Sequence, residues 1–139
     1  MAQEEVETAV LAACMAEAEW PAQIAAGVCA GVDFAVSRPD VTRELVIELT
    51  SSGEHLDRYE GLIGRLAGFI RVRAPLDARL PGSTDEAMVA GIVGLVGDHV
   101  RLGRLERLAG LRAELVLLTL LPYLGFSEAK RWADQVASS

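Results

Sequence analysis

Apolar positions recur along this chain at three- and four-residue intervals, and nowhere do they alternate over a run long enough for a strand bounded by hairpin turns. Ile24, Val28, Val32 and Ala35 form one stripe, and Val41, Leu45, Val46 and Leu49 a second. A third, broader one runs through Leu56, Tyr59, Leu62, Ile63, Leu66, Phe69 and Ile70. The pattern predicts helices throughout, and the breakers set their limits. A first helix is expected over about Glu4–Glu19, stopping before Trp20-Pro21, because proline is well tolerated at a first helical position and can open the second. Ser37-Arg38 closes that second helix. Pro39 starts a third, with Asp40 in the first turn, where the helix dipole favours an acid. Ser51 with Glu54 fits a capping box for a fourth helix, which ends near Ala74-Pro75. Residues 75–83 are the longest loop. Ser83 with Glu86 fits a second capping box, for a fifth helix closed by Gly103 as a left-handed C-cap. A sixth is expected from about Leu105 to Tyr123, ending at Gly125, and Ser127 caps a short seventh carrying Ala129, Trp132 and Val136. The fold class that follows is an all-α helical bundle of about seven helices, in a single domain over residues 1–139.

The fifth and sixth helices ask for more than a place in a bundle. The fifth carries Gly91, Gly94 and Gly97 among Met88, Val89, Ile92, Val93, Leu95 and Val96. Each glycine costs a helix about 1 kcal/mol against alanine, so close approach of another backbone is expected to offset them. The sixth is apolar nearly all round from Leu115 to Leu124, as in a helix covered on both sides. Pairing of these two helices with their copies in a second subunit, as a four-helix interface, satisfies both demands. Gly91, Gly94, Gly97, Leu115, Leu118 and Leu121 are the residues expected there. A central helix in a monomeric bundle is the alternative.

Composition narrows the function classes. Of 139 residues 51% are apolar, 24% charged and only 5% aromatic, which predicts a foldable, mostly aliphatic core. The net charge is −7, and residues 1–36 hold six acids and no base. Phosphate affinity comes mainly from Lys and Arg, so this chain alone is not expected to bind nucleic acid. Cys14 and Cys29 form no CxxC and no Cys/His quartet, so no metal is expected. The start MAQEEVE is acidic where a signal peptide is basic. The longest apolar stretches, Ala87–Gly97 and Leu115–Phe126, fall short of the roughly 20 residues that span a bilayer. A soluble, cytoplasmic chain with reduced thiols and no membrane partner is the expectation.

The order of features resembles the C-terminal domain of TetR-family transcriptional regulators. The resemblance rests on Trp20-Pro21 opening a helix, on Arg38-Pro39-Asp40 leading into Leu45-Val46-Ile47-Glu48-Leu49, and on the Gly-rich run Met88–Gly97 after a Pro-rich loop. It continues with the break at Gly103, the run Leu121-Pro122-Tyr123-Leu124-Gly125, and Ser127-Glu128-Ala129 at the start of the last helix. It covers about residues 8–136. It implies a domain that senses a small, hydrophobic effector and forms a homodimer through its last two long helices. Family members carry a three-helix DNA-binding head built on a helix-turn-helix. This sequence shows none, so DNA binding is not carried over. The expectation is either the sensor domain of a regulator or a stand-alone relative. A stand-alone interaction module that forms homodimers, or mixed dimers with full-length regulators, is the alternative function.

Catalytic chemistry finds little to work with. There is no Gly-x-Ser-x-Gly, and no serine, histidine and acid fall into a nucleophilic motif. Gly61-Leu-Ile-Gly64 lies inside a helix, with Arg65 its one basic neighbour. His99, near the end of the fifth helix, complements the dipole there. No enzyme activity and no cofactor are expected. The resemblance instead implies a pocket among the helices before the dimer pair, at the positions of Cys14, Trp20, Cys29, Asp33 and Phe34, and of His55, Tyr59, Ile63, Phe69 and Met88. Asp33 is the one charge in Ile24–Ser37, to be read first as a surface acid on the exposed face of its helix and otherwise as a buried acid that would meet a cationic ligand.

Overall fold

The computed structural model describes residues 2–51, 53–81 and 83–139, with side chains from residue 3 onward except in 48–56. Its architecture is all-helical. The elements are α1 (Ala2–Met15), α2 (Trp20–Ser37), α3 (Pro39–Ser51), α4 (Gly53–Arg73), a short 3-10 turn (Leu76–Ala78), α5 (Thr84–Arg101), α6 (Leu105–Ala109), α7 (Arg112–Leu124) and α8 (Phe126–Ala137). Among the described residues there is no strand, and no helix is long and apolar enough to cross a membrane.

The breakers act where the sequence places them. Pro21 lies in the first turn of α2, and Gly103 and Gly125 take positive φ, +71° and +81°, a region open to glycine at little cost. Three boundaries differ. First, α1 stops at Met15, because the chain turns there to bring α1 back along α2, and Gln23 Nε2 donates to Glu17 O at 3.0 Å across that turn. The two helices come so close at Gly27 that a Cβ there would lie 2.5 Å from Cys14 Sγ. Second, the expected sixth helix is two helices. Gly110, a weak helix former, ends α6, and Arg112 Nη1 takes the freed Ala109 carbonyl at 2.9 Å. There are thus eight α-helices among the described residues. Third, the capping boxes are not as read. Ser83 precedes α5 but its side chain makes no capping bond, while Thr84 Oγ1 donates to Pro81 O at 2.8 Å. Gly125, not Ser127, caps α8. The Ser51–Glu54 pair lies outside the described side chains.

The surrounded helix is α2, which packs against α1, α3, α5, α6, α7 and α8. Its composition explains the role: between Ile24 and Ser37 it carries one charge and many Ala, Gly and Val, so neighbours approach on several sides. Two aliphatic cores flank it. One gathers Trp20, Ile24, Ile63, Ile70, Val89, Val116, Leu120 and Tyr123. The other gathers Val32, Ala35, Val100, Leu108 and Leu115. α7 is buried on one side only, and Leu118 and Leu121 on its other side are 49% and 37% exposed.

Candidate functional site

Beside the two cores the helices leave a cleft that is partly open to solvent. A cavity of about 180 Å³ is walled by α1, α2, α3, α4 and α5, with Thr119 of α7 reaching into it. At Gly27 and Gly31 of α2 the wall closes up against Cys14 and Val10 of α1, while Leu45, Leu62 and Ile92 line it from α3, α4 and α5. Aliphatic cavities of about 150 Å³ stay dry and take up benzene-sized ligands, so this one is large enough for a small organic molecule.

Its walls are almost wholly apolar, and the few polar groups are spoken for. Thr42 Oγ1 donates to Arg38 O at 3.0 Å, and Thr119 Oγ1 donates to Leu115 O at 2.7 Å. Both hydroxyls keep their lone pairs as acceptors. The Cys14 thiol is pushed above its ordinary pKa, first by burial, so it stays a neutral thiol. Among the described residues Glu7 is the one charged residue in the wall, and the Arg65 guanidinium clamps it through Nε at 2.6 Å and Nη2 at 3.1 Å. A second pair, Arg38 with Glu5, also ties α1 to the rest of the chain. Phe34 and Phe69 line the cavity, and each carries a guanidinium over its ring, Arg38 at 5.3 Å and Arg73 at 4.2 Å. The arrangement can hold and desolvate an apolar molecule. Among the described residues no group of three or more His, Cys, Asp or Glu is placed to hold a metal.

Of the ten residues expected in the pocket, Cys14, Phe34, Phe69 and Met88 line the cavity. Trp20 and Ile63 are buried in the adjoining core, where Trp20 Nε1 donates to Ile70 O at 3.1 Å, and Tyr59 packs against that core from outside. Cys29 also lies against that core, outside the cavity wall; its thiol is raised by burial and then by Asp33. Asp33 is a correction: it is exposed and ion-paired with Arg112, a surface acid that meets no cavity. The side chain of His55 lies outside the described residues.

The expected interface residues also divide. Gly91 and Gly94 are exposed with open space beside them, on one face with Ala87, Leu95 and Leu102. Leu118 and Leu121 are exposed on α7. Gly97 and Leu115 are corrections. A Cβ on Gly97 would come within 3.2 Å of Val46, so its close approach is to α3 of the same chain. Leu115 is 1% exposed, consumed by the chain's own second core. The spacing puts Leu115 and Leu118 on one apolar helix, but which side faces inward depends on α2.

Sequence reasoning missed a buried polar cluster near the cavity. Asp85 is 4% exposed; Tyr123 Oη donates to its Oδ1 at 2.5 Å and Arg71 Nη1 to its Oδ2 at 3.0 Å. Burial, then the bond to Asp85, raises the Tyr123 pKa. The Tyr123 ring stands edge-on to Trp20, with centroids 5.3 Å apart. Asp85 reads in sequence as a first-turn acid of α5, and nothing local announces a partner 38 residues away. Thr119 was also missed, although it is the one hydroxyl residue within the apolar run Leu115–Leu121.

Compared with family models, curated proteins and solved structures, the chain finds no match in any of the three.

Proposed function

We propose that this chain is a TetR-type effector-sensing and dimerisation domain, holding a small apolar effector in the cavity and pairing with a second copy through the open faces of α5 and α7. The cavity is the observation that carries the reading. It lies among the helices that precede α7, where the resemblance implies an effector site, and among the described residues its wall is apolar apart from Glu7, Thr42, Thr119 and Cys14. The second support is that Gly91, Gly94 and Leu95 on α5, and Leu118 and Leu121 on α7, are exposed among the described residues. Effector binding would act by population shift. A ligand touching five helices favours the arrangement that fits it, and α5 belongs both to the cavity wall and to the open face, so the shift reaches the pairing surface.

Native mass spectrometry of the purified chain, combined with thermal unfolding in the presence of small apolar compounds, tests this. The expected result is a dimer mass and a raised Tm. A monomer that no apolar compound stabilises ends the reading. The open face by itself favours the interaction module, and a dimer indifferent to every apolar compound would select it.

A further inference from the structure

Helix α1 is held differently from the rest of the chain. Neither core includes any of its described side chains. Among those side chains Cys14 alone is buried, at 4% exposure, and the others are half-buried or exposed. The helix packs chiefly along α2 and more lightly on α3 and α4. It nevertheless supplies one wall of the cleft, through Val6, Glu7, Val10, Leu11 and Cys14.

Much of its attachment is polar. Gln3 Nε2 donates to Arg58 O at 3.1 Å, the Arg38 guanidinium donates to Glu5, and the Arg65 guanidinium grips Glu7. The side chains of Glu5, Arg38 and Arg65 are each about half exposed, so salt weakens both ion pairs. At the other end of α1 the Cys14 side chain seats against Gly27, and residues 16–19 lead the chain into α2. An element with few buried apolar contacts opens at a lower free energy than the whole molecule unfolds. Once undocked, a helix of 14 residues is marginal on its own, so undocking and melting go together and release Cys14 as well as the ion-paired end. We infer that α1 leaves as one unit while α2–α8 stay folded, that its ion pairs to Arg38 and Arg65 set how often it does so, and that each opening lays bare the cleft and the Cys14 thiol. The device regulates access to the cleft of the proposed function, but it does not rest on what the cleft holds.

The rate at which Cys14 reacts with the uncharged disulfide 4,4′-dithiodipyridine tests this, read for the Cys14 peptide separately from Cys29 by mass spectrometry and divided by the rate in the urea-unfolded chain. In the native chain the reaction is expected to be slow, and its dependence on urea no more than about a third of that of global unfolding, since the slope scales with the surface exposed. Raising NaCl from about 0.05 to 0.5 M, Glu5→Gln and Glu7→Gln are each expected to speed it about two- to fivefold, the scale of an exposed ion pair. Asp134→Asn, which breaks a surface pair on α8, should leave it unchanged. A urea dependence equal to that of global unfolding, a native rate matching the unfolded one, indifference to salt and to both α1 substitutions, or an equal effect of Asp134→Asn would each overturn the inference. The salt and urea series need no variant, so they decide even if a substituted chain fails to fold. None of these readouts uses a ligand, so the effector reading stands or falls separately.

Discussion

The inner and outer sides of α5 are built from the same few residue types. Inward, Val89, Val93, Val96 and Gly97 line the cavity; outward, Ala87, Gly91, Gly94 and Leu95 face open space. The glycines differ in what surrounds them. Gly97 is small because Val46 of α3 leaves no room, whereas Gly91 and Gly94 have nothing of their own chain within reach of a Cβ. α7 repeats the contrast, with Leu115 inside a core and Leu118, three residues on, exposed. Identical residue types can therefore hold one chain together on one side of a helix and remain available for another chain on the other. Only the inner side should matter to monomer stability, and only the outer side to association.

The sharpest way to break that contrast is at the leucines. Leu115→Ala should cost about 2–5 kcal/mol in denaturant unfolding, because it empties a filled site in the second core. Leu118→Ala should cost little in the monomer and appear as a weaker dimer in sedimentation. Equal losses of stability would show that the two sides are not distinct. The glycines come next. Gly97→Leu should destabilise the chain by about 1–3 kcal/mol through overpacking against Val46. Gly94→Leu should leave monomer stability unchanged or slightly higher and push the paired helices apart, and an unaltered dimer mass would move the interface elsewhere.

A third prediction concerns the buried cluster that ties α4, α5 and α7 together. The Tyr123 pKa is raised in the folded chain, so the protonated phenol bonded to Asp85 is the form that folding favours. Below the ordinary tyrosine value of 10.0 the folded and unfolded chains both keep this proton, and the contribution is fully present. As pH rises above that value the unfolded chain releases its proton first, and stability falls. Tyr123→Phe should remove that share of the alkaline loss and cost about 1–3 kcal/mol at neutral pH by leaving Asp85 short of a donor. Thermal unfolding of both chains between pH 7 and 11 measures it. The smallest effect belongs to the surface. Asp33→Ala should change stability by about 0–1 kcal/mol, as for an exposed ion pair, and leave ligand affinity untouched.

Much of the local architecture was legible because it is written in local chemistry. Pro21, Pro39, Gly103 and Gly125 act on their own neighbours, so their effects can be read without knowing the fold. The break at Gly110 was harder, since one glycine in a leucine-rich run is tolerated unless something takes the freed carbonyl, and that something is Arg112, which is also held by Asp33 of α2. The candidate site was legible only in part. Cys14, Phe34, Phe69 and Met88 were expected at a pocket and line one, while Asp33 drew notice as a lone charge and proved to be a surface residue.

What the sequence determined by itself is that this chain is all-helical, where most of its helices begin and end, and that its core is aliphatic, because turn residues and apolar periodicity act over a few positions. What only the tertiary structure decided is the rotation of each helix about its axis and everything that follows from it. That includes Leu115 inward and Leu118 outward, α2 rather than the leucine-rich helix at the centre, and Asp85 beside Tyr123. The physical reason is that a wide apolar stripe satisfies burial over a range of rotations, and the packing of neighbours selects one. The cavity is the space this selection leaves between helices. It belongs to no segment of the chain, and so no segment could announce it.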